Sequence, residues 1–295
     1  LDLHHPDARA WEVTGPDGAH LGLFVGDYFA RSTKRSGAWA SGFRGQQKLW
    51  EPGRPVVVNT MNFAKAEPAL LTWDDARTLF HEFGHALHML MSDVTYPRLA
   101  GTAVARDFVE LPSQLYEHWL GESAILRTHA RHVETGEPMP DAMIARIRAA
   151  ETYGQGFATV EYLASAIVDL EMHRLSHVEG HDPQRFQARV LRDIGMPEAI
   201  VMRHASPHFL HVFAGDGYAA GYYSYMWSEV MDADAFAAFK ETGDPFDPEL
   251  AGKLARHVLS AGALAEPEAL YTAFRGSMPG VEPLLRGRGL LDDAA

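Results

Sequence analysis

The helix that contains the letters HEFGH constrains the fold of this chain more than any other segment. Leu79, Phe83 and Leu87 recur every four residues, which predicts an amphipathic helix. Thr72, with Asp75 three residues later, resembles a capping box and places the start of that helix. The two histidines of HEFGH are four residues apart, so both imidazoles project from one helix face. We therefore expect a helix that carries a paired histidine site.

The segments on either side predict a small sheet before this helix and further helices after it. Residues 20–30 and 54–64 are rich in β-branched and aromatic side chains and predict two strands, whereas the Gly- and Ser-rich residues 31–47 predict a loop. Beyond about residue 126 the periodicity is helical. The expected fold class is mainly α with a small β-sheet. We predict residues 1–125, with the sheet and the histidine helix, and residues 126–295, a helical lobe, as two parts of one unit.

Three of the later helices carry a start signal. Asp182 and Asp247 each stand directly before a proline, the arrangement of a capping residue followed by a first-turn proline, and Glu266 with Pro267 starts a third helix. The third of these helices is expected to end near Gly276, because glycine is the usual residue just past a helix end. These signals predict where the helices of the second part begin.

Composition excludes several classes of function. The chain has 295 residues and a net charge of −13, which argues against a nucleic-acid partner. It has no cysteine, which excludes disulfides and thiolate chemistry and fits a reducing compartment such as the cytoplasm. No apolar run reaches the roughly 18 residues that cross a bilayer, so no membrane span is expected. The first residues, LDLHHPDARAW, contain neither an initiator Met nor a signal-peptide pattern, and predict an internal piece of a longer polypeptide.

The paired histidines predict a metal site. His81 and His85 can both bind one Zn²⁺, and Glu82 then lies beside the ion, where it can accept a proton from a water molecule. Zinc lowers the pKa of such a water to about 7 and polarises a carbonyl group. The alternative for so short a pattern is a solvated helix face that carries histidines by chance.

A catalytic zinc ion needs a third protein ligand, and the residues leave the choice open. His88 lies one turn beyond His85 on the same face, and its alternative role is packing. The extended histidine pattern of metzincins is absent, because Met91 stands at its last position. Glu110 is the other candidate, in a second helical segment where Pro112 suggests a first helical turn or a kink.

A tyrosine-rich segment, residues 211–227, forms the second pattern of interest. Its spaced glycines favour a loop that leads into a helix. Tyr218, Tyr222 and Tyr225 stand at i, i+4 and i+7, a spacing that suits one face of a helix. From the spacing alone, packing in the core is the alternative to a functional cluster.

Three motifs together resemble one family. TLFHEFGHALHMLMS, DFVELPSQLYEHW and GDGYAAGYYSYMWSEV are similar to the thimet oligopeptidase and peptidyl-dipeptidase Dcp family of zinc metallopeptidases, of the gluzincin type. Arg106 with Asp107 resembles the bacterial peptidyl-dipeptidase branch, and similarity extends from HLGLF to LLRGRGL. The resemblance implies a zincin-like α+β catalytic part, one Zn²⁺ and short oligopeptide substrates that lose C-terminal dipeptides. It also implies a helical N-terminal region, absent from these residues, as an intramolecular partner that forms the other wall of a channel.

The resemblance implies roles for particular residues. His81, His85 and Glu110 match the zinc ligands, and Glu82 matches the general base and acid. Tyr225 is the first candidate for the donor that stabilises the oxyanion.

Further roles are implied around these residues. Tyr218 is the next candidate for the oxyanion donor, and Tyr222 is a substrate contact. His211, the first residue of the tyrosine segment, resembles a histidine that precedes the glycine loop in the family and is a catalytic candidate; His208 competes with it and is a candidate substrate contact. Asp107 and Glu117, the carboxylates nearest to Glu110 in sequence, are candidates for orienting the ligand histidines, and surface charge is the alternative for each.

Two further expectations concern substrates and alternatives. The strand in residues 54–63 is predicted to run beside the substrate and to pair with its backbone. The rival functions are a catalytically impaired zinc- or peptide-binding fragment and an oligopeptidase of the same family that cleaves internal bonds. A structural helical domain without metal is a third alternative.

Overall fold

A mixed four-stranded sheet forms the start of the chain in this computed structural model, which describes residues 5–50, 53–177, 179–180 and 182–291. The strands are β1 (Ala8–Thr14), β2 (His20–Phe29), β3 (Trp39–Arg44) and β4 (Val56–Phe63). Their order in the sheet is β1-β2-β4-β3. Strands β2 and β4 are parallel, and β1 and β3 pair antiparallel to them on the two outer sides. β3 and β1 are therefore the edge strands.

The sequence predicted two of these four strands, and it predicted neither β1 nor β3. β2 and β4 fall within the segments predicted as strands, but residues 39–44, predicted as loop, form β3. Of its letters WASGFR, only Trp39 and Phe43 favour strands, and they are separated by small residues that do not. The strand forms because its backbone pairs with β4, with Trp39 opposite Thr60 and Gly42 opposite Val57. Tertiary pairing outweighs local propensity here.

A buried ammonium group joins the ends of β2 and β4. The side chain of Lys34 is 3% exposed and donates to the backbone oxygens of Asp27, Phe29 and Met61, each at 2.8 Å. Its Nζ also lies 2.9 Å from Oδ1 of Asp27, whose carboxylate accepts two further bonds from Arg31. These contacts fix the start of the segment that leads into β3.

Helices make up most of the remaining chain, as the sequence predicted. The helices are α1 (Trp73–Leu90), α2 (Leu111–Leu120), α3 (Ser123–His129), α4 (Asp141–Glu151), α5 (Gln155–His173), α6 (Pro183–Asp193), α7 (Leu210–Phe213), α8 (Ser224–Glu241), α9 (Pro248–Leu254), α10 (Pro267–Arg275) and α11 (Glu282–Gly287). Single 3₁₀ turns occur at Pro97–Leu99 and Ser206–His208, and a π-helical turn, Ala255–Leu259, continues α9. No helix in the described ranges is long and apolar enough to span a membrane.

The predicted helix starts are present. Thr72 and Asp75 form a reciprocal capping box at the start of α1, with bonds of 3.1 and 3.0 Å between each side chain and the other's backbone N–H. Asp182 caps α6 and Asp247 caps α9 through their carboxylates. α10 begins at Pro267 and ends at a glycine with φ +100°, Gly276.

The largest apolar cluster draws residues from both parts predicted in the chain. It joins α2 to α8, α10 and the π-helical turn. The members with almost no exposed surface include Phe108, Leu115, Phe239 and Tyr271. The division at residue 125 stays a prediction, although residues on both sides of it share this core.

The backbones of α1 and α2 touch at one glycine. A Cβ atom at Gly84 would lie 2.5 Å from the carbonyl oxygen of Pro112 and 2.6 Å from Cα of Ser113. Real Cβ contacts are not this short, so only glycine allows this approach. The crossing brings the start of α2 beside the middle of α1.

Candidate metal centre

Helix α1 presents two imidazoles to one cavity. His81 and His85 are one turn apart, and their ring centroids lie 5.0 Å from each other with the planes nearly perpendicular. Their common orientation follows from the helical period, because residues four apart share a face. The pair is half-buried, with side chains 22% and 13% exposed.

Glu110 supplies a carboxylate to the same point. It stands directly before α2, and the close crossing at Gly84 brings it against α1. Its Oε2 lies 3.4 Å from Nε2 of His81 and 3.1 Å from Nε2 of His85. Ser113 donates its hydroxyl to the same oxygen at 3.2 Å. One ligand atom from each of the three residues lies within 4.8 Å of the others, a group that can hold a metal ion.

The protonation of His81 indicates why a cation fits between these atoms. Glu117 lies on the far side of the ring, with Oε1 2.6 Å from Nδ1, so the proton of a neutral imidazole resides on Nδ1. Nε2 then directs a lone pair at the carboxylate of Glu110. Two acceptors that face each other repel unless a proton or a metal ion lies between them. Nitrogen and oxygen ligands of a tetrahedral Zn²⁺ are about 3.3 Å apart, close to the separations seen here.

Electrostatics point in the same direction. Burial lowers the pKa of His81, but hydrogen bonds to Glu110 and Glu117 outweigh it and raise that pKa to about 10. For Glu110, burial raises the pKa, and the two histidines outweigh it and hold the pKa below its usual range. The two carboxylates therefore favour a positive charge at this point, which a metal ion can supply.

Glu82 lies between the two histidines in sequence and lines the same cavity. It is 6% exposed, and its Oε2 has no hydrogen-bond partner among the described residues. Burial raises the pKa of this carboxyl group, which makes Glu82 a better proton acceptor than an exposed glutamate. A buried carboxylate oxygen without a hydrogen-bond partner is costly, and it fits a group that exchanges a proton with a bound molecule.

The other candidates for the metal site lie elsewhere. His88 is fully buried, both ring nitrogens lack a partner among the described residues, and burial together with the charge of His85 lowers its pKa to about 3. It is not part of the described cluster that can hold a metal. Asp107 accepts a hydrogen bond from the hydroxyl of Tyr223 at 2.8 Å rather than from a ligand histidine. Of the two carboxylates considered for orienting the histidines, Glu117 is the one in contact.

The cavity in front of the cluster has a volume of about 930 Å³. Strand β3 and the residues before it form one side, α1 another, and the tyrosine segment a third. The lining residues are Arg35, Ser36, Ala38, Trp39, Ala40, His81, Glu82, His85, Met89, Thr102, Arg106, Val109, Glu110, Leu210, His211, Tyr218 and Tyr225.

The three tyrosines do not share one helix face, contrary to the prediction from their spacing. α8 begins at Ser224, so Tyr225 is helical, whereas Tyr218 and Tyr222 precede the helix in turns. The rings of Tyr218 and Tyr225 are nevertheless parallel, with centroids 6.2 Å apart. The glycine-rich turns gather the tyrosines instead of a continuous helix.

The two histidine candidates near this segment have different surroundings. His211, in α7, has Nε2 3.1 Å from the hydroxyl oxygen of Tyr225, and it lines the cavity. His208 ends the preceding 3₁₀ turn and is exposed, and it is not among the described lining residues. Tyr222 also lies outside the described lining and packs between Tyr162 and Phe209. The substrate-contact roles of His208 and Tyr222 stay predictions.

The strand beside the cavity differs from the one predicted. β4, which was expected to pair with a substrate backbone, is flanked on both sides by β2 and β3. Its backbone groups are therefore engaged within the sheet. The edge strand β3 instead contributes Trp39 and Ala40 to the cavity.

Comparison with known proteins identifies the family. Residues 2–290 match peptidase family M3. The chain belongs to peptidase family M3. It is 40% identical to the dipeptidyl carboxypeptidases of Salmonella typhimurium and Escherichia coli and 36% identical to oligopeptidase A of Escherichia coli, in each case over 98% of this chain. The chain spans 43% of the length of each of these relatives.

Solved structures share the fold at low sequence identity. A carboxypeptidase of Pyrococcus furiosus is 16% identical, with a TM-score of 0.55 over 90% of this chain and 53% of that chain. Metallocarboxypeptidase 1 of Trypanosoma cruzi is 15% identical, with a TM-score of 0.56 over 78% of this chain and 52% of that chain. The M3 chain therefore has a fold that recurs in carboxypeptidases.

Three residues of this M3 chain that were assigned no site role touch the site or its supports. Gln114 donates from its side-chain amide to the backbone oxygen of Tyr225 at 3.1 Å and so ties α2 to α8. The guanidinium of Arg106 lies 4.3 Å from the ring centroid of Tyr218. Asp169, on α5, accepts hydrogen bonds from the backbone of the tyrosine segment. Their contacts span 51 to 112 residues of sequence, so no local pattern reveals them.

Proposed function

We propose that this chain carries the catalytic centre of a zinc peptidase that hydrolyses short oligopeptides and releases C-terminal dipeptides. The convergence of His81, His85 and Glu110 on a cavity that also receives Glu82 and Tyr225 carries this proposal. Membership of peptidase family M3 supports peptide bonds as the target. The 40% identity to two dipeptidyl carboxypeptidases supports the release of dipeptides.

Zinc is the proposed ion, and one ion suits the site. Two imidazole nitrogens with one carboxylate oxygen are a ligand set that zinc accepts in hydrolytic enzymes, which keep a further position open for substrate or water. A bound zinc ion would acidify a water molecule and polarise the scissile carbonyl. Glu117 would hold the ring of His81 in its tautomer and orientation, with Nε2 facing the ion.

Glu82 is the proposed general base and acid. Its carboxylate accepts the proton of the attacking water and returns it to the leaving amine. The raised pKa of this buried group suits the first half of that transfer, because a more basic carboxylate takes up a proton more readily. No other carboxylate among the described lining residues is free for this role, because Glu110 is a proposed ligand.

Tyr225 is the proposed donor to the oxyanion, with Tyr218 second. Burial and the nearby Glu110 raise the pKa of Tyr225, so its hydroxyl stays protonated and able to donate. His211 can donate from Nε2 to the same hydroxyl oxygen and so direct the O–H toward the cavity. A donor that acts mainly in the transition state lowers the barrier by roughly 3–4 kcal/mol.

Two alternatives have an observation in their favour. The 36% identity to oligopeptidase A of Escherichia coli favours cleavage at internal bonds. The 43% coverage of the relatives favours a zinc- or peptide-binding part that needs the rest of a longer protein for turnover. All three functions use the same metal cluster. They differ in the peptide products that are released and not in the residues that bind the metal.

Bound metal and cleavage products decide among these functions. The protein should bind one zinc ion and should release a C-terminal dipeptide from an N-acetylated peptide of six to ten residues, followed by mass spectrometry. Amidation of the peptide's C-terminus should abolish dipeptide release, whereas an internal-cleaving enzyme would still cut the amidated peptide. Bound zinc without cleavage of any peptide would favour the binding alternative.

The Glu82→Gln variant separates metal binding from chemistry. Gln keeps the volume but cannot accept the proton, so turnover should fall by at least about a hundredfold while zinc content stays at one ion. Zinc is measured by atomic absorption and turnover by product formation. Asp74→Asn on the exposed side of α1 is the matched control and should keep parental turnover. Parental rates in Glu82→Gln would contradict the proposed mechanism.

A further inference from the structure

The tyrosine segment adopts a backbone conformation that its own sequence does not favour. Ala220 has φ +56°, in the left-handed region that residues with a side chain rarely occupy. The segment on either side of it, residues 214–223, consists of turns rather than regular structure. Such a conformation persists only where surrounding contacts hold it, and such contacts cluster at functional sites.

A buried carboxylate on α5 provides these contacts. Asp169 is 1% exposed and accepts the backbone N–H of Ala220 at 3.2 Å through Oδ1 and that of Tyr222 at 3.0 Å through Oδ2. The two N–H groups lie on either side of Gly221, so the carboxylate binds the backbone at two points. Nδ1 of His173 lies 2.8 Å from Oδ1. Both carboxylate oxygens are therefore engaged.

A second residue of α5 holds the same segment from the other end. Tyr162 donates its hydroxyl to the backbone oxygen of Tyr222, and the same hydroxyl accepts the N–H of Met226 at 3.3 Å. The rings of Tyr162 and Tyr222 are stacked with centroids 5.1 Å apart. α5 thus fixes the backbone just before and just after Tyr225.

We propose that Asp169 is a positioning residue that holds the tyrosine segment so that the hydroxyl of Tyr225 faces the metal cavity. Asp169 is not among the described residues that line the cavity, so it acts through the segment and not on a substrate. The inference rests on the proposed function, because it assigns the purpose of the anchor to the chemistry at Tyr225. Neither the family match nor the relatives' names assign this role.

The Asp169→Asn variant tests the anchor with little change in volume. Its amide nitrogen would face one of the two N–H donors, so that bond is lost and the segment relaxes. kcat should fall by about tenfold to a hundredfold, the effect of a misplacement of about 1 Å, with KM nearly unchanged. Zinc content should equal that of the parent. Glu171→Gln, an exposed carboxylate on the same helix, is the matched control and should keep parental kcat.

A double variant distinguishes a positioning role of Asp169 from a general loss of structure. If Asp169 acts through Tyr225, then Asp169→Asn should lower kcat no further once Tyr225→Phe has removed the hydroxyl. If Asp169→Asn lowered kcat by the same factor in the Tyr225→Phe background as in the parent, the inference would be overturned. If Asp169→Asn does not fold, Ala220→Val serves instead, because a β-branched residue resists positive φ and should displace the segment without altering Asp169.

Hydrogen exchange supplies a readout that does not need turnover. In Asp169→Asn, the amides of Ala220 and Tyr222 should exchange faster, and the amides in the middle of α8 should keep parental rates. Parental exchange at both amides would overturn the inference. A parent without peptidase activity would refute the proposed function, and the exchange rates alone would then decide whether Asp169 anchors the segment.

Discussion

At the residue scale, the contact between Glu117 and His81 supports the proposed metal site from behind. The carboxylate lies 2.6 Å from Nδ1 of His81 and fixes which nitrogen faces Glu110. Glu117→Gln keeps an acceptor but removes the charge, so the affinity for zinc should fall about tenfold to a hundredfold. Competition with a chelator measures this affinity. Asp107→Asn is the control, because Asp107 contacts Tyr223, and equal losses in the two variants would contradict the role of Glu117.

The hydroxyl of Tyr225 is the second residue-scale test. Tyr225→Phe removes one O–H and almost no volume, so kcat should fall by roughly 10²–10³ while KM, zinc content and Tm stay close to those of the parent. Steady-state kinetics and thermal unfolding measure these quantities. Tyr223→Phe, whose hydroxyl contacts Asp107, is the matched control. Unchanged kcat in both Tyr225→Phe and Tyr218→Phe would return these tyrosines to a packing role.

The sequence reveals the residues of the site to unequal degrees. The orientation of His81 and His85 follows from helical spacing alone, so a local pattern sufficed. Glu110 was chosen over His88 only through the family resemblance, because the crossing that brings it to the histidines depends on another helix. No sequence pattern predicted a role for Asp169, since its partners are backbone N–H groups about fifty residues away.

At the scale of elements, β3 is the strand that was predicted as a loop. Helices α1, α6, α9 and α10 were predicted because their caps and first-turn prolines are local signals. β3 has no such signal, and its identity as a strand comes from hydrogen bonds to β4. β4, the strand predicted to pair with a substrate, lies inside the sheet, and the edge strand β3 lines the cavity.

The buried ammonium of Lys34 should contribute strongly to the stability of the sheet. Lys34→Met keeps the apolar stem but leaves three backbone oxygens and the Asp27 carboxylate without this donor. The free energy of unfolding should fall by roughly 2–4 kcal/mol, measured by urea denaturation. Lys65→Met is the control, because Lys65 is 62% exposed and its surface ion pair with Asp7 should contribute little to stability. If Lys34→Met and Lys65→Met lost equal free energy of unfolding, the strong contribution assigned to Lys34 would be contradicted.

At the scale of the whole molecule, the shared core predicts how the chain unfolds. Phe239 on α8 is 1% exposed and packs edge-on against Trp119 of α2, with ring centroids 5.1 Å apart. Because this cluster joins elements on both sides of residue 125, unfolding should occur in one transition. Tryptophan fluorescence, circular dichroism and zinc release should share one urea midpoint. Two separated midpoints would support two independent parts.

A substitution in this core tests the same coupling. Phe239→Ala should lower the free energy of unfolding by about 3–5 kcal/mol and should move all three midpoints together. Phe246→Ala is the control, because its side chain is 45% exposed and should contribute much less. A shift of the helical signal without a shift of zinc release would contradict one cooperative unit.

Gly84 sets a condition on any attempt to transplant this site into another scaffold. A designed helix that bears His-Glu-x-x-His can present two imidazoles anywhere, since that arrangement is internal to the helix. The proposed third ligand, Glu110, directly precedes a second helix whose backbone touches the first at Gly84, where even one methyl group would collide with Pro112. A designer who treats that position as free and fills it with alanine, the best helix former, would push the carboxylate away from the metal. The residue without a side chain is therefore as much a part of the transferable unit as the residues that bind.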